Sequence, residues 1–196
     1  MTNIICISGK ARHGKDITAS FFRDHLLSDN RKVLIIHQAD LLKHLCRQLF
    51  QWDGQKDEHG RHLLQYVGTD VIRAQNPDFW VNHIIDVLHF FPDHWDYVII
   101  PDCRFPNEID NLKNAGFQTL HIRVERKNAE SDLTEEQKNH ASETALANYP
   151  ADCLLYNNGT TDDLSNAVRG LIDYLPFFQQ WLPTPQTPRT ESATID

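Results

Sequence analysis

The sequence has no apolar run near the roughly 20 residues that a membrane-spanning helix needs. Its amino terminus also lacks a basic stretch followed by a long hydrophobic segment and a cleavage site. Membrane insertion and secretion are therefore not expected, and the chain reads as cytoplasmic. Cysteine is scarce, and Cys6, Cys46, Cys103 and Cys153 are scattered without a CxxC pair. That argues against a disulfide framework or a thiolate zinc site and leaves the four as reduced packing residues. Histidine is plentiful, yet His59 and His62 have no cysteine or acidic partners at a recognisable ligand spacing, so ordinary surface histidines are expected. Positive charge is in deficit. A formal net charge of -8 speaks against a broad polynucleotide-binding surface but leaves room for a local basic pocket that holds a small anion. No nucleic acid and no membrane partner is expected; a small phosphorylated substrate suits the charge better, and a homodimer is compatible with it. With 196 residues, 40% of them hydrophobic, and no internal repeat, the chain fits one domain with a sizeable core.

What is present is a near-complete phosphate-binding loop. Gly9, Lys10, Ala11, Arg12, His13, Gly14, Lys15 and Asp16 give a glycine, four residues and Gly-Lys, with Asp16 where the pattern has Ser or Thr. Such a loop works largely through backbone N–H groups turned toward a phosphate, helped by the positive end of the next helix and the lysine charge. A surface turn is the bland alternative. Against it, Ile4 to Ile7 reads as a buried parallel strand, and Ile17, Phe21, Phe22 and Leu26 repeat at helical spacing, giving strand, loop and helix in the required order.

The chain continues as alternating strands and helices. Val33 to His37 is a second apolar strand, and a helix from Asp40 carries Leu41, Leu42, Leu45, Cys46, Leu49 and Phe50 on its inner face. In RHLLQYVGTDVIR, Leu63, Leu64, Val67, Val71 and Ile72 form an apolar face; Arg61, Gln65, Thr69 and Arg73 recur every four residues on the other. That second face is either solvated or built to grip a phosphate and read a base edge beside Gly68. Trp80 either packs in the core or borders a base. Tyr97 to Asp102 is a third strand, with a carboxylate at its carboxyl end, where open α/β sheets bind ligands and where P-loop folds order Mg2+. Arg104 and Glu108 follow, close enough for one cleft, although a structural Arg–Asp pair at a loop has similar spacing. Gln118 to Val124 and Asp152 to Tyr156 complete five strands, and Thr161 to Tyr174 is the final helix. Between them a polar segment carrying Arg126, Lys127, Lys138 and a Thr134–Gln137 capping box reads as a lid or as a plain connection. Phe177, Phe178 and Trp181 can still pack on the domain. The expected division is a single domain over residues 1–182, with a candidate lid at 125–146 and a disordered tail at 183–196.

ISGKARHGKD, QADLLKHLCRQLF, GRHLLQYVGTDVIRAQNPDFW and IIPDCRFPNEID, in this order and spacing, resemble the phage-type deoxynucleoside monophosphate kinases of the P-loop nucleotide kinase superfamily. The resemblance runs from Ile4 to about Leu164. It implies an α/β, P-loop nucleotide kinase-like three-layer fold: a five-stranded parallel sheet with helices on both faces, residues 38–95 forming the monophosphate-binding insertion. It also implies transfer of the γ-phosphoryl group of ATP to a deoxynucleoside 5′-monophosphate, assisted by Mg2+. Carried over, His13, Lys15 and Asp16 would face the ATP phosphates, and Arg61, Gln65, Gly68, Thr69 and Trp80 would surround the acceptor. Asp102, Arg104 and Glu108 match active-site positions after the third strand, and Asp16 matches too.

The expected roles follow. Lys15, Asp16, Asp102 and Arg104 carry catalysis; Asp16 and Asp102 position the metal; Arg126 joins the loop on ATP; Arg61, Arg73 and Arg104 meet acceptor charge. Two other readings stay open at this point: a P-loop kinase of another small molecule, such as a phosphomevalonate-type enzyme, and a sensor that binds ATP without transferring phosphate. Asp16 is the sensor's best support, because a carboxylate beside polyphosphate is repulsive unless metal intervenes.

Overall fold

Alternation along the central strands assigns the two faces of the sheet. Ile5 and Ile7 point with Tyr97 and Ile99 into one apolar cluster, while Ile4 and Cys6 point with Val98 and Ile100 into another. Strands buried on both faces read as unbroken apolar runs, which is why they stand out in the sequence. The computed structural model describes residues 2–127, 129 and 133–179. The tail expected from residue 183, Trp181 and residues 128 and 130–132 of the candidate lid lie outside the described residues.

The strands are β1 (Asn3–Ser8), β2 (Val33–Ile35), β3 (Tyr97–Ile100), β4 (Gln118–Glu125) and β5 (Cys153–Tyr156). All pair in parallel, in the order β2-β3-β1-β4-β5. Helices α1 (Lys15–Ser28), α8 (Thr161–Tyr174) and α9 (Pro176–Gln179) cover one face through Phe22, Leu26, Val168 and Phe178. Helices α4 (Phe79–Phe90) and α5 (Pro106–Asn114) cover the other through Val81, Ile84, Ile109 and Leu112. This is the three-layer α/β arrangement expected. Two strands end earlier than the apolar runs imply: β2 stops at Ile35 and β3 at Ile100, so His37 and Asp102 sit on loops beyond the sheet. Among the described residues no helix is long and apolar enough to cross a membrane.

Between β2 and β3 the chain makes an excursion with its own small core. Helices α2 (Ala39–Phe50) and α3 (Glu58–Gln65) meet the start of α4 around Leu42, Cys46, Trp52, Val67 and Trp80. Over Tyr66–Arg73 the backbone widens from α to π geometry. In an α-helix, residues four apart drift by about 40° per step; a π turn, closed by i→i+5 bonds, takes more residues and offsets that drift. Helices α6 (Glu135–Asn139) and α7 (Ala141–Thr144) lie between β4 and β5.

The helix after β1 packs on one face of the sheet, whereas the one after β3 packs on the other. The chain therefore splays apart beside the carboxyl end of β1, and open α/β sheets take their ligands at such a point.

Candidate active site

The loop from Gly9 to Gly14 leaves β1 at that crevice. Gly9 has φ 143°, and a Cβ there would lie 2.4 Å from Val124 O. Gly14 has φ 97° and caps α1; a Cβ on it would lie 2.4 Å from Asn157 Nδ2. Both positions demand glycine because the loop presses against β4 and the chain after β5. Asn157 Nδ2 donates to His13 O at 3.0 Å, and Arg126 N donates to His13 Nδ1 at 3.2 Å. Burial lowers the His13 pKa, which favours the neutral ring; the same Nδ1 stands 3.2 Å from Val124 O. Lys15 Nζ folds over the loop and donates to Gly9 O at 2.9 Å and Lys10 O at 3.0 Å. Burial first, and then the nearby Arg104 charge, lower the Lys15 pKa to about 8. The site is thus a concentration of positive charge in which one ammonium is already held reluctantly.

Asp16 opens α1 with its side chain 83% exposed, and its Oδ1 stands 3.5 Å from His37 Nε2. His37 Nδ1 is 3.4 Å from Asp40 Oδ2. The hydrogen bond between them lowers the Asp16 pKa and raises that of His37. When protonated, the His37 imidazole would offset the repulsion that a carboxylate brings to a polyphosphate. Asp102 has a structural duty as well: Oδ1 accepts from Gln38 N at 2.8 Å and Oδ2 from Ala39 N at 3.0 Å, so it satisfies the start of α2. Each oxygen retains a lone pair. Among the described residues no three His, Cys, Asp or Glu side chains are grouped to hold a metal. Mg2+ needs less, since it is commonly held by one or two carboxylates together with waters and substrate phosphates. The donor set of Asp16 and Asp102 fits that chemistry.

A cavity of about 410 Å³ opens between the loop, the end of β4 and α7. Gly9, Lys10, His13, Arg104 and Arg126 all line it, with Arg123 and Glu143. Arg104 Nη1 donates to Ser142 O at 2.9 Å and to Glu143 Oε1. Burial alone would ease the proton off Arg104, but the Glu143 carboxylate outweighs it, and the pKa rises.

The insertion divides the remaining candidates. Arg73 and Glu108 do not open to the cavity. Glu108 is 1% exposed, and its Oε1 lies 2.5 Å from Arg73 Nη2. Its Oε2 accepts from Arg104 N at 2.7 Å and Phe105 N at 3.2 Å, which caps α5. Burial raises the Glu108 pKa against the opposing Arg73 charge. The Arg73 guanidinium lies 4.0 Å over the Phe105 ring. Gly68 and Trp80 are joined to each other, Trp80 Nε1 donating to Gly68 O at 2.9 Å in the insertion core. The close approach at Gly68 is made by Leu42, whose Cδ2 would stand 2.6 Å from a Cβ there. Arg61 and Thr69 are half-buried along the same line, outside the lining of the cavity at the loop. Gln65 faces a second hollow of about 530 Å³ between α3 and α6, and its Nε2 is 3.5 Å from Gln137 O. His59 and His62 border that hollow too.

In the candidate lid, Arg126 and Lys127 reach the first cavity, whereas Lys138 turns back to Glu135 at 2.6 Å. The capping box at Thr134 forms as its sequence implies. Sequence reasoning missed His37, Arg123 and Glu143. For Arg123 a weak signal existed: it is the one arginine or lysine in β4, between the apolar Ile122 and Val124. His37 stands directly after an apolar strand, a position where polar residues face ligands. Glu143 had no local signal, because its partner is 39 residues away.

A profile of deoxynucleotide monophosphate kinases matches residues 36–168. A protein of Acanthamoeba polyphaga mimivirus, provisionally named a deoxynucleotide monophosphate kinase, is 28% identical over 202 residues, covering 87% of this chain and 96% of that protein. The deoxynucleotide monophosphate kinase of Enterobacteria phage T4 is 30% identical over 118 residues, which is 59% of this chain and 46% of the phage protein. Among solved structures, the APS kinase CysC of Mycobacterium tuberculosis superposes at a TM-score of 0.49 with 11% identity, over 88% of this chain and 97% of that one.

Proposed function

Because the chain belongs to the deoxynucleotide monophosphate kinase family, we propose that it transfers the γ-phosphoryl group of ATP to a deoxynucleoside 5′-monophosphate, in the cytoplasm. The observation that carries this reading is the convergence of two anion-binding elements on one cavity. The glycine-rich loop with Lys10 and Arg104 after β3 both line it, and Arg104 is near enough to depress the Lys15 pKa. One element suits the polyphosphate donor and the other the acceptor phosphate.

Phosphoryl transfer asks the protein mainly to align two phosphates and neutralise shifting oxygen charge. The backbone N–H groups between Lys10 and Lys15 turn toward the β and γ phosphates, and the Lys15 ammonium exchanges its loop carbonyls for phosphate oxygens. Arg104 binds the acceptor phosphate and screens its repulsion from the donor. Glu108 and Arg73 hold Arg104 from behind as a buried pair instead of meeting substrate. Mg2+, held by Asp16 and Asp102 with waters, would supply charge neutralisation at the transferring phosphate. His37 favours the ionised form of Asp16. Residues 38–95 form the monophosphate-binding insertion, in which Arg61, Gln65 and Thr69 face the acceptor nucleoside. Arg126, in the candidate lid and on the wall of the cavity, would bind the triphosphate.

Arg104→Ala tests the assignment. Losing one preorganised charge-stabilising contact lowers turnover by about 10²- to 10³-fold, so this variant should collapse in a coupled kinase assay while still binding ATP. Near-normal turnover would remove Arg104 from the acceptor site.

A further inference from the structure

We infer that Glu143, on α7, is a positioning residue that aims the Arg104 guanidinium at the acceptor phosphate; this rests on the reading of Arg104 given above. Among the described residues, the hydrogen bonds of that guanidinium are all made through Nη1, to Ser142 O and Glu143 Oε1. A guanidinium is a rigid planar fork of five N–H groups, so fixing one nitrogen fixes the plane in which the other donors lie. The Arg104 side chain is 38% exposed and that of Glu143 10%. Both residues line the cavity, and Glu143 holds Arg104 Nη1 at its wall.

The grip is itself anchored. Ser142 N donates to His140 Nδ1 at 3.2 Å at the start of α7. Beyond α7, Arg123 Nη2 donates to Leu146 O at 2.7 Å and to Tyr149 O, and Leu146 is buried against the α4 and α5 cluster. An exposed ion pair on two flexible chains contributes little. This pair differs: the acid side chain is only 10% exposed, the bond is charge-assisted, and Glu108 holds the Arg104 backbone at the opposite end. The arginine is fixed at its N–H by one glutamate and at its tip by another. The chain between β4 and β5 thus completes the acceptor-phosphate site, beyond any covering of the triphosphate.

The test is a double-mutant cycle on the full chain, assayed with ATP and each of the four common deoxynucleoside monophosphates. Glu143→Ala should lower kcat/KM for the acceptor by about 10- to 100-fold, with the Kd for ATP unchanged. In the Arg104→Ala background the same change should have almost no effect, because residues acting as one unit are non-additive. An Glu143→Ala enzyme as active as the parent, or one losing as much without Arg104 as with it, overturns the inference. If Arg104→Ala alone is harmless, the acceptor-site reading fails instead. Should Glu143→Ala fold poorly, Glu143→Gln serves: it weakens the charge-assisted bond while preserving shape. Acceptor kcat/KM must then fall severalfold with ATP affinity intact, and no change in either contradicts the proposal.

Discussion

At the scale of single residues, the proposed site separates groups placed to meet phosphate from groups that hold them. Lys15, with its pKa lowered to about 8 chiefly by burial and then by Arg104, belongs to the first kind. The cationic form is the one phosphate needs, and it predominates below that pH. The kcat/KM for ATP, which reports the free enzyme, should therefore decline as pH rises through about 8. The kcat should hold to higher pH, since bound phosphate charge raises the lysine pKa. A pH profile of both constants checks this; a flat kcat/KM to pH 10 would contradict it. Arg73 and Glu108 belong to the second kind. Their residue types and positions were readable as charges near a cleft, but whether a charge faces ligand or a partner 35 residues away depends on how helices meet. The loop from Gly9 to Asp16 was legible because its chemistry is local: the glycines, the lysine and the helix start lie within eight consecutive positions. Glu143 and Arg104 are a contact between elements, invisible until the sheet brings β3 and the chain after β4 together.

At the scale of elements, the strands were legible as apolar runs, though their ends were not. His37 and Asp102 continue the polarity pattern of a strand tip, yet each lies past the last residue of its strand. The amphipathic line on α3 was legible too, while the π widening after it was not, because the same side chains suit either backbone. That insertion depends on close packing at Gly60. A Cβ there would stand 2.0 Å from Gln55 O, a backbone atom, and 2.7 Å from Trp52 Nε1. Gly60→Ala should therefore destabilise the protein by about 1–3 kcal/mol, lowering Tm by roughly 2–4 °C per kcal/mol for a chain of this size. Thermal melting monitored by circular dichroism checks it. An unchanged or raised Tm would mean that α3 shifts freely, and that the insertion does not hold Gln65 in place.

At the scale of the whole molecule, the β2-β3-β1-β4-β5 sheet brings three separate stretches of chain to one end: the loop after β1, the Arg104 turn after β3, and the segment after β4. Each alone is compatible with a turn or a surface ion pair, and it is their meeting that supports the proposed site for two anions. Family membership makes the chain a kinase and sets aside the sensor reading. The His37 partner of Asp16, when protonated, weakens the physical objection that favoured a sensor. The acceptor class is the central claim, and it is tested most directly by incubating the full chain with ATP, Mg2+ and a panel of ribo- and deoxynucleoside monophosphates while following diphosphate formation. The account predicts diphosphate from at least one deoxynucleoside monophosphate; ATP binding without diphosphate from any member of the panel would contradict it.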